Sequence, residues 1–280
     1  MFGPLAGLLL FSRPGTLREW LWLLLAAAWS AIWLDQVGGL GAQVARAAAA
    51  LLCGSFLALT LWRPSNQLGR ALAATAGAAL ALVAWMRGLG IGWTRLMAGI
   101  DQDLGAYRTA LRAQWQSAGI PADLIDQMVS LMHSAGQLYP ALLALAGIAG
   151  LRLAWTWYHR VAARPLGPPP APFREFGFND QLVWGFVISL SLALLPVPEP
   201  WRIAGSNLLL VFGVLYAARG LAVVLAQAGR VPPPVWMVLV FLATFLLPFV
   251  VGGLTLLGLA DTWLDFRRRH SAPATGGFDR

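Results

Sequence analysis

An all-α fold is predicted here, a polytopic transmembrane helical bundle of about eight spans, on three observations. The 280 residues are 58% hydrophobic and only 11% charged, with a mean hydropathy of +0.66. An ordinary soluble domain carries roughly 25% charge, so this chain cannot dress a water-facing surface of normal size. Its apolar residues gather into runs that approach or exceed the about 17–25 residues a membrane helix needs. Its 14 tryptophans also cluster near the ends of those runs, where an amphipathic indole prefers to sit.

Charge and cysteine usage narrow the class. The net charge is +8 and every one of the 20 basic residues is arginine. They lie in loops and at helix ends, where they set orientation rather than forming one face, so no nucleic-acid partner is expected. The expected partner is the lipid bilayer. A single cysteine, Cys53, sits inside an apolar run, which rules out a disulfide framework and a CxxC site. Met1 to Phe11 has no basic n-region and no cleavage site, so it does not read as a signal peptide.

Taken in order, Gly3 to Phe11 is too short to span and reads, with Arg13, Pro14 and Arg18, as an interfacial lead-in. Spans follow at Leu17–Leu34, about Leu40–Trp62 and about Leu68–Leu89, with Arg63 and Arg70 in the turn between the second and third. From Gly90 to Gln137 the chain becomes polar, and two amphipathic helices are legible. Leu104, Tyr107, Leu111, Trp115 and Ala118 recur at helical spacing, as do Leu124, Ile125, Met128, Leu131 and Met132. Pro121 suits the first turn of the second helix. The pair is expected to lie on the membrane or fold over the bundle.

The fourth span is Leu138–Tyr158. A basic, proline-rich loop follows (His159, Arg160, Arg164, Arg174), extended and stiff by composition. Asn179 or Asp180 can cap the fifth span, Gln181–Leu195, which PVPEP ends. The sixth runs from Trp201 to about Gln227, closing at Gly229 and Arg230. Val235–Phe266 is then 32 residues long, too long for one comfortable span. Splitting it near Pro248 and Gly252–Gly253 returns Arg267, Arg268 and Arg269 to the cytoplasm, as the positive-inside rule asks. The expected organisation is a three-span segment (1–90), an extracytoplasmic amphipathic hairpin (91–137) and a C-terminal bundle (138–269). The bundle carries the cytoplasmic loop 159–180, a disordered tail covers 270–280, and both termini are cytoplasmic. Trp20, Trp22, Trp33, Trp62, Trp85, Trp155, Trp157, Trp184, Trp201, Trp236 and Trp263 read as belt residues.

Catalytic motifs are not evident: there is no GxSxG, HExxH, phosphate loop or Cys/His cluster, and His133, His159 and His270 are scattered. The reading is therefore a non-enzyme with no cofactor and no metal. Charges inside spans carry more information. Arg46, Arg152, Arg219 and Asp261 each cost about 2.5–3.5 kcal/mol at membrane depth, so such groups pair or face the bundle. Asp261 is expected to pair with Arg219 or Arg152, the alternative being that the arginines snorkel. Asn207, Ser206, Ser189 and Ser191 serve as interhelical glue or line a cavity. Small residues recur at four-residue spacing at Ala74 and Ala78, Gly147 with Leu151 opposite Ala154, and Gly213 with Ala217, and read as close helix contacts.

Several segments resemble a known family. They are LYPALL (Leu138–Leu143), FREF (Phe173–Phe176), the set Asn207, Tyr216 and Gly220–Val223, and the closing LGLADTWLDFRRR (Leu257–Arg269). Together they resemble the YybS-like family of bacterial inner-membrane proteins, over roughly residues 95–269 and without a signature in the first 90. That family is similar, distantly, to the substrate-binding subunits of energy-coupling-factor vitamin transporters. The resemblance implies a helical bundle in the bacterial inner membrane that recognises or transports a small solute, with a membrane ATPase module as partner. It carries over no ligand residue. The alternative function is a scaffold that presents its basic cytoplasmic loops to anionic lipid or to a partner.

Overall fold

The computed structural model describes residues 2–62, 67–227, 232–264 and 266. The expectations for Arg63, Gly229–Arg230, Arg267–Arg269, His270 and the 270–280 tail lie outside them. The described residues form α-helices joined by turns and one long loop that carries a 3-10 turn, with no strand. Two compact units divide at Pro170, and the helix after the hairpin packs with the N-terminal helices.

The first unit holds α1 (Phe2–Phe11), α2 (Leu17–Asp35), α3 (Leu40–Trp62), α4 (Gln67–Gly88), α5 (Trp93–Ser117), α6 (Ala122–Gln137) and α7 (Tyr139–Val161). Of these, α2, α3, α4 and α7 are long and apolar enough to cross a membrane. The α1 helix corrects the expected interfacial lead-in. Leu5, Leu8 and Leu9 are fully buried and share a core with Leu23, Phe56, Ala74, Leu151 and Trp155. A helix apolar on every side is buried, and its length does not alter that. Arg13 takes a left-handed conformation (φ 55°) to end α1, and Thr16 opens α2 through a capping box with Glu19.

Two further readings change in this unit. Arg70 lies within α4 rather than in the turn before it, buried with its guanidinium 4.6 Å from the Trp155 ring and 5.6 Å from Phe56. Trp155 is itself buried, so it is a core residue and not part of a lipid-facing belt. Trp20, Trp33, Trp62 and Trp85 are exposed, as a belt requires.

The amphipathic pair becomes a hairpin folded onto the bundle. Gly119 (φ 74°) makes the turn between α5 and α6, and Pro121 stands immediately before α6 instead of inside its first turn. Leu96 and Ile100 pack on Val44 and Met86. Asp103 then accepts from the Gly41 N–H at 3.0 Å, placing a carboxylate on the first turn of α3.

The second unit holds a 3-10 turn at Phe173–Glu175, then α8 (Leu182–Leu194), α9 (Glu199–Gln227), α10 (Pro233–Phe245) and α11 (Leu247–Leu264). Here α9 and α11 are of spanning length, whereas α8 and α10 have 13 residues each and fall short. The long last apolar run is broken, as expected, but at Leu246. Pro248 offers no N–H to the Thr244 carbonyl, which stops α10 there. Gly252 and Gly253 lie inside α11. Exposed Met237, Val238, Phe241 and Phe245 on α10 suit contact with hydrocarbon.

Candidate functional site

Two glycines bring α9 and α11 together. A Cβ built on Gly220 falls 2.0 Å from the Leu254 carbonyl oxygen, and one on Gly258 falls 2.0 Å from that of Tyr216. Only glycine allows backbones this close. The spacing read from sequence had pointed to Gly213, yet a Cβ there meets nothing within 4 Å. Ala74 and Ala78 are buried, and a Cβ on Gly147 would strike Leu52, so those two contacts are close ones.

The crossing places charge as well as backbone. Tyr216, Arg219, Gly220 and Val223 form one buried face of α9, and Gly258 and Asp261 are the buried residues of α11. Arg219 therefore meets Asp261. Its Nε donates to Asp261 Oδ2 at 2.9 Å and its Nη2 donates to the Asp261 carbonyl at 3.2 Å. Asp261 Oδ1 accepts from the Phe266 N–H at 3.2 Å. Arg219 is 6% exposed and Asp261 1%. A charge at such depth is tolerable only when paired and hydrogen-bonded, and here it is both.

A third member was not anticipated. Arg219 Nη1 donates to Asp180 Oδ1 at 2.9 Å, and Asp180 stays 62% exposed. Asn179 accepts from the Gln181 N–H ahead of α8, which leaves Asp180 to the arginine. Sequence had offered both residues as caps and could not divide the roles. Phe178 lies 5.4 Å below the guanidinium and packs against Tyr216.

Of the other candidates, Arg152 stands in α7 of the first unit, half-buried. The Asn207 side chain donates to Ile203 within its own helix, as Ser189 does to Phe186 and Ser206 to Arg202. Arg46 donates to the Gln36 carbonyl. Glu19 escaped notice altogether, although the Thr16–Glu19 spacing is the capping-box signature. It accepts from Gly15 N, Thr16 N and Thr16 Oγ1, and also from Ala163 N at 2.8 Å beyond α7.

Beside the Arg219 cluster runs an apolar groove of about 350 Å³, lined by Asp180, Gln181, Val183, Trp184, Val187, Thr262 and Trp263. Its rim bears the one carboxylate of the cluster that is exposed. Among the described residues, no basic side chain lines it. Arg219 is committed to its carboxylates, so the cluster holds α8, α9 and α11 in place while the groove provides the accessible surface.

Comparison with known proteins identifies the family. The family described as Predicted membrane protein (DUF2232) covers residues 1–262, and the chain belongs to it. The match takes in the first 90 residues, where no signature had been legible. Neither a curated protein nor a solved structure matches significantly.

Proposed function

We propose that this member of the DUF2232 family is a non-catalytic membrane protein that binds a small amphipathic solute, with the groove of the second unit as its site. One observation carries the reading. The groove joins an apolar trough to a polar rim, and it is built on helices locked by the Gly220–Gly258 crossing and the Arg219 cluster. Ligand sites have this character, mostly apolar with a few polar groups on a rigid frame. The candidate charges support the site by holding its walls.

The test is thermal stability of the purified full chain in a neutral detergent against a panel of short amphiphiles. At least one should stabilise the wild type, and Val187→Trp, which fills the trough, should abolish that response. A panel that moves nothing, or an equal response in Val187→Trp, would overturn the reading. The scaffold alternative would then rest on the exposed loop arginines Arg160, Arg164 and Arg174.

Delivery of the solute to a membrane ATPase partner extends the same proposal. So does residence in a bacterial inner membrane with the Arg160–Arg174 loop and both termini cytoplasmic, which follows from the positive-inside rule. Reporter fusions at the C-terminus and within the α5–α6 turn should give cytoplasmic and extracytoplasmic signals respectively. The reverse pattern would refute that orientation.

A further inference from the structure

We infer that the groove selects an ammonium group, the cationic end of an amphipathic molecule. The inference rests on the solute-binding reading and adds the charge of the ligand. Three features point the same way. Asp180 presents a carboxylate that is 62% exposed, at the rim. The walls include two indoles, Trp184 and Trp263, which are 66% and 68% exposed. Carboxylate and indole together form the usual receptor for a quaternary or primary ammonium, the first by charge and the second by its π face.

The third feature is the fate of the arginine. An anionic head, whether phosphate, sulfate or carboxylate, gains most from a cation in the lining, and none of the described lining residues supplies one. Arg219 is the cation of this cluster, and its Nε, Nη1 and Nη2 groups already donate to Asp261 and Asp180. Its side chain is also 7% exposed, and it is not among the residues that line the groove, whereas Asp180 is. An anion arriving at the rim therefore meets a carboxylate first. Gln181 adds polarity without adding positive charge.

Position along α8 explains why the ligand carries a tail. Val183, Trp184 and Val187 fall at helical spacing and continue the lining away from Asp180 as an apolar strip. A bare cation would leave that strip unused, whereas an alkyl chain covers it. The ammonium could belong to a lipid headgroup or to a soluble amine, and the two sources share the chemistry that Asp180 and the indoles recognise.

The experiment is equilibrium binding of radiolabelled decyltrimethylammonium to the full-length protein in neutral-detergent micelles. Decyl sulfate, decyl maltoside, phosphatidylethanolamine and choline serve as competitors. Saturable binding that decyl sulfate and decyl maltoside fail to displace is expected. Asp180→Asn should weaken it by about tenfold, the scale of one lost charge-assisted contact. Because Asp180 also holds Arg219, Gln181→Asp provides a second variant outside the cluster. It adds a carboxylate to the rim and should tighten binding, whereas Gln181→Arg should weaken it. Displacement by choline would support the ammonium assignment and identify a soluble source. Displacement by phosphatidylethanolamine alone would support it and identify the bilayer. Equal displacement by decyl maltoside, with no effect of the Gln181 variants, would overturn cation selectivity while leaving an amphiphile site. No saturable binding of any amphiphile would overturn both.

Discussion

Glu19 in the first unit and Asp261 in the second are both sealed carboxylates, 3% and 1% exposed. Their partners differ in kind. Glu19 is held by backbone N–H groups at the start of α2 and by one N–H from the chain beyond α7. Asp261 is held mainly by a guanidinium from a helix 42 positions away in sequence. The first arrangement uses backbone donors free at the start of α2 and just beyond the end of α7, so it needs no second charge. The second requires two side chains to reach the same depth on facing helices, and each then depends on the other. Removing one carboxylate strands a handful of dipoles, and removing the other strands a cation.

The sharpest test of that contrast is Asp261→Ala. It leaves Arg219 buried with Asp180 as its remaining described carboxylate partner, and should cost about 3–5 kcal/mol, the scale for breaking a buried pair. Unfolding of the purified protein in detergent measures this directly. Adding Arg219→Ala should restore part of the loss, because the stranded cation goes with it. Strictly additive losses in this cycle would mean that the two residues act independently.

A smaller effect is expected where the crossing is steric. Gly258→Ala drives a methyl into the Tyr216 carbonyl, and backbone cannot rotate aside as a side chain can. Overpacking of this kind costs about 1–3 kcal/mol, and separating α9 from α11 should also loosen the Arg219–Asp261 pair. Gly213→Ala on α9 is the control. Its Cβ meets open space, so the change should be neutral or stabilising by up to about 1 kcal/mol through helix propensity. Equal destabilisation by both variants would show that the close approach at Gly258 does not set it apart from Gly213.

This pair of glycines also marks the limit of what could be read from the residues alone. The helices were legible: Leu40–Trp62 agrees at both ends, and α2, α4, α7, α8 and α9 agree within a few residues. Apolar runs of bilayer length are bounded by Pro, Gly or charge, and that signal is local. Asp261 stood out because a carboxylate inside such a run is costly. Its choice of Arg219, the role of Asp180 and the true crossing glycines depend on how helices rotate against each other. A four-residue spacing marks a face able to pack closely, but not the neighbour it meets. Arg70 failed for the same reason, since only the fold brings Trp155 beneath it. The length of α1 argues for the interface and its uniformly apolar surface argues for burial, and the packing follows the second. Glu19 was readable and was missed.

Glu19→Gln probes the other arm of the comparison. Glutamine keeps one carbonyl oxygen, so it can satisfy the Thr16 turn or the Ala163 N–H but not both as the carboxylate does. The loss should be smaller than that of Asp261→Ala and confined to the junction. Hydrogen exchange should quicken at the Gly15, Thr16 and Ala163 amides while the α9–α11 face stays protected. Faster exchange across the whole first unit would make Glu19 a global support instead of a local fastening.

The smallest effect is expected for a charge pair with neither backbone donors nor burial. Arg112 Nη2 lies 2.5 Å from Asp126 Oδ1 across the α5–α6 hairpin, with both side chains open to solvent. Exposed pairs of this kind are worth about 0–1 kcal/mol, because water competes for both partners and two long side chains lose freedom. Asp126→Ala should therefore change stability by less than about 1 kcal/mol, and added salt should shrink even that difference. The separation is as short as that of the buried pair, so distance alone would rank the two together. If Asp126→Ala cost as much as Asp261→Ala, burial would not be what gives the second unit's ion pair its weight.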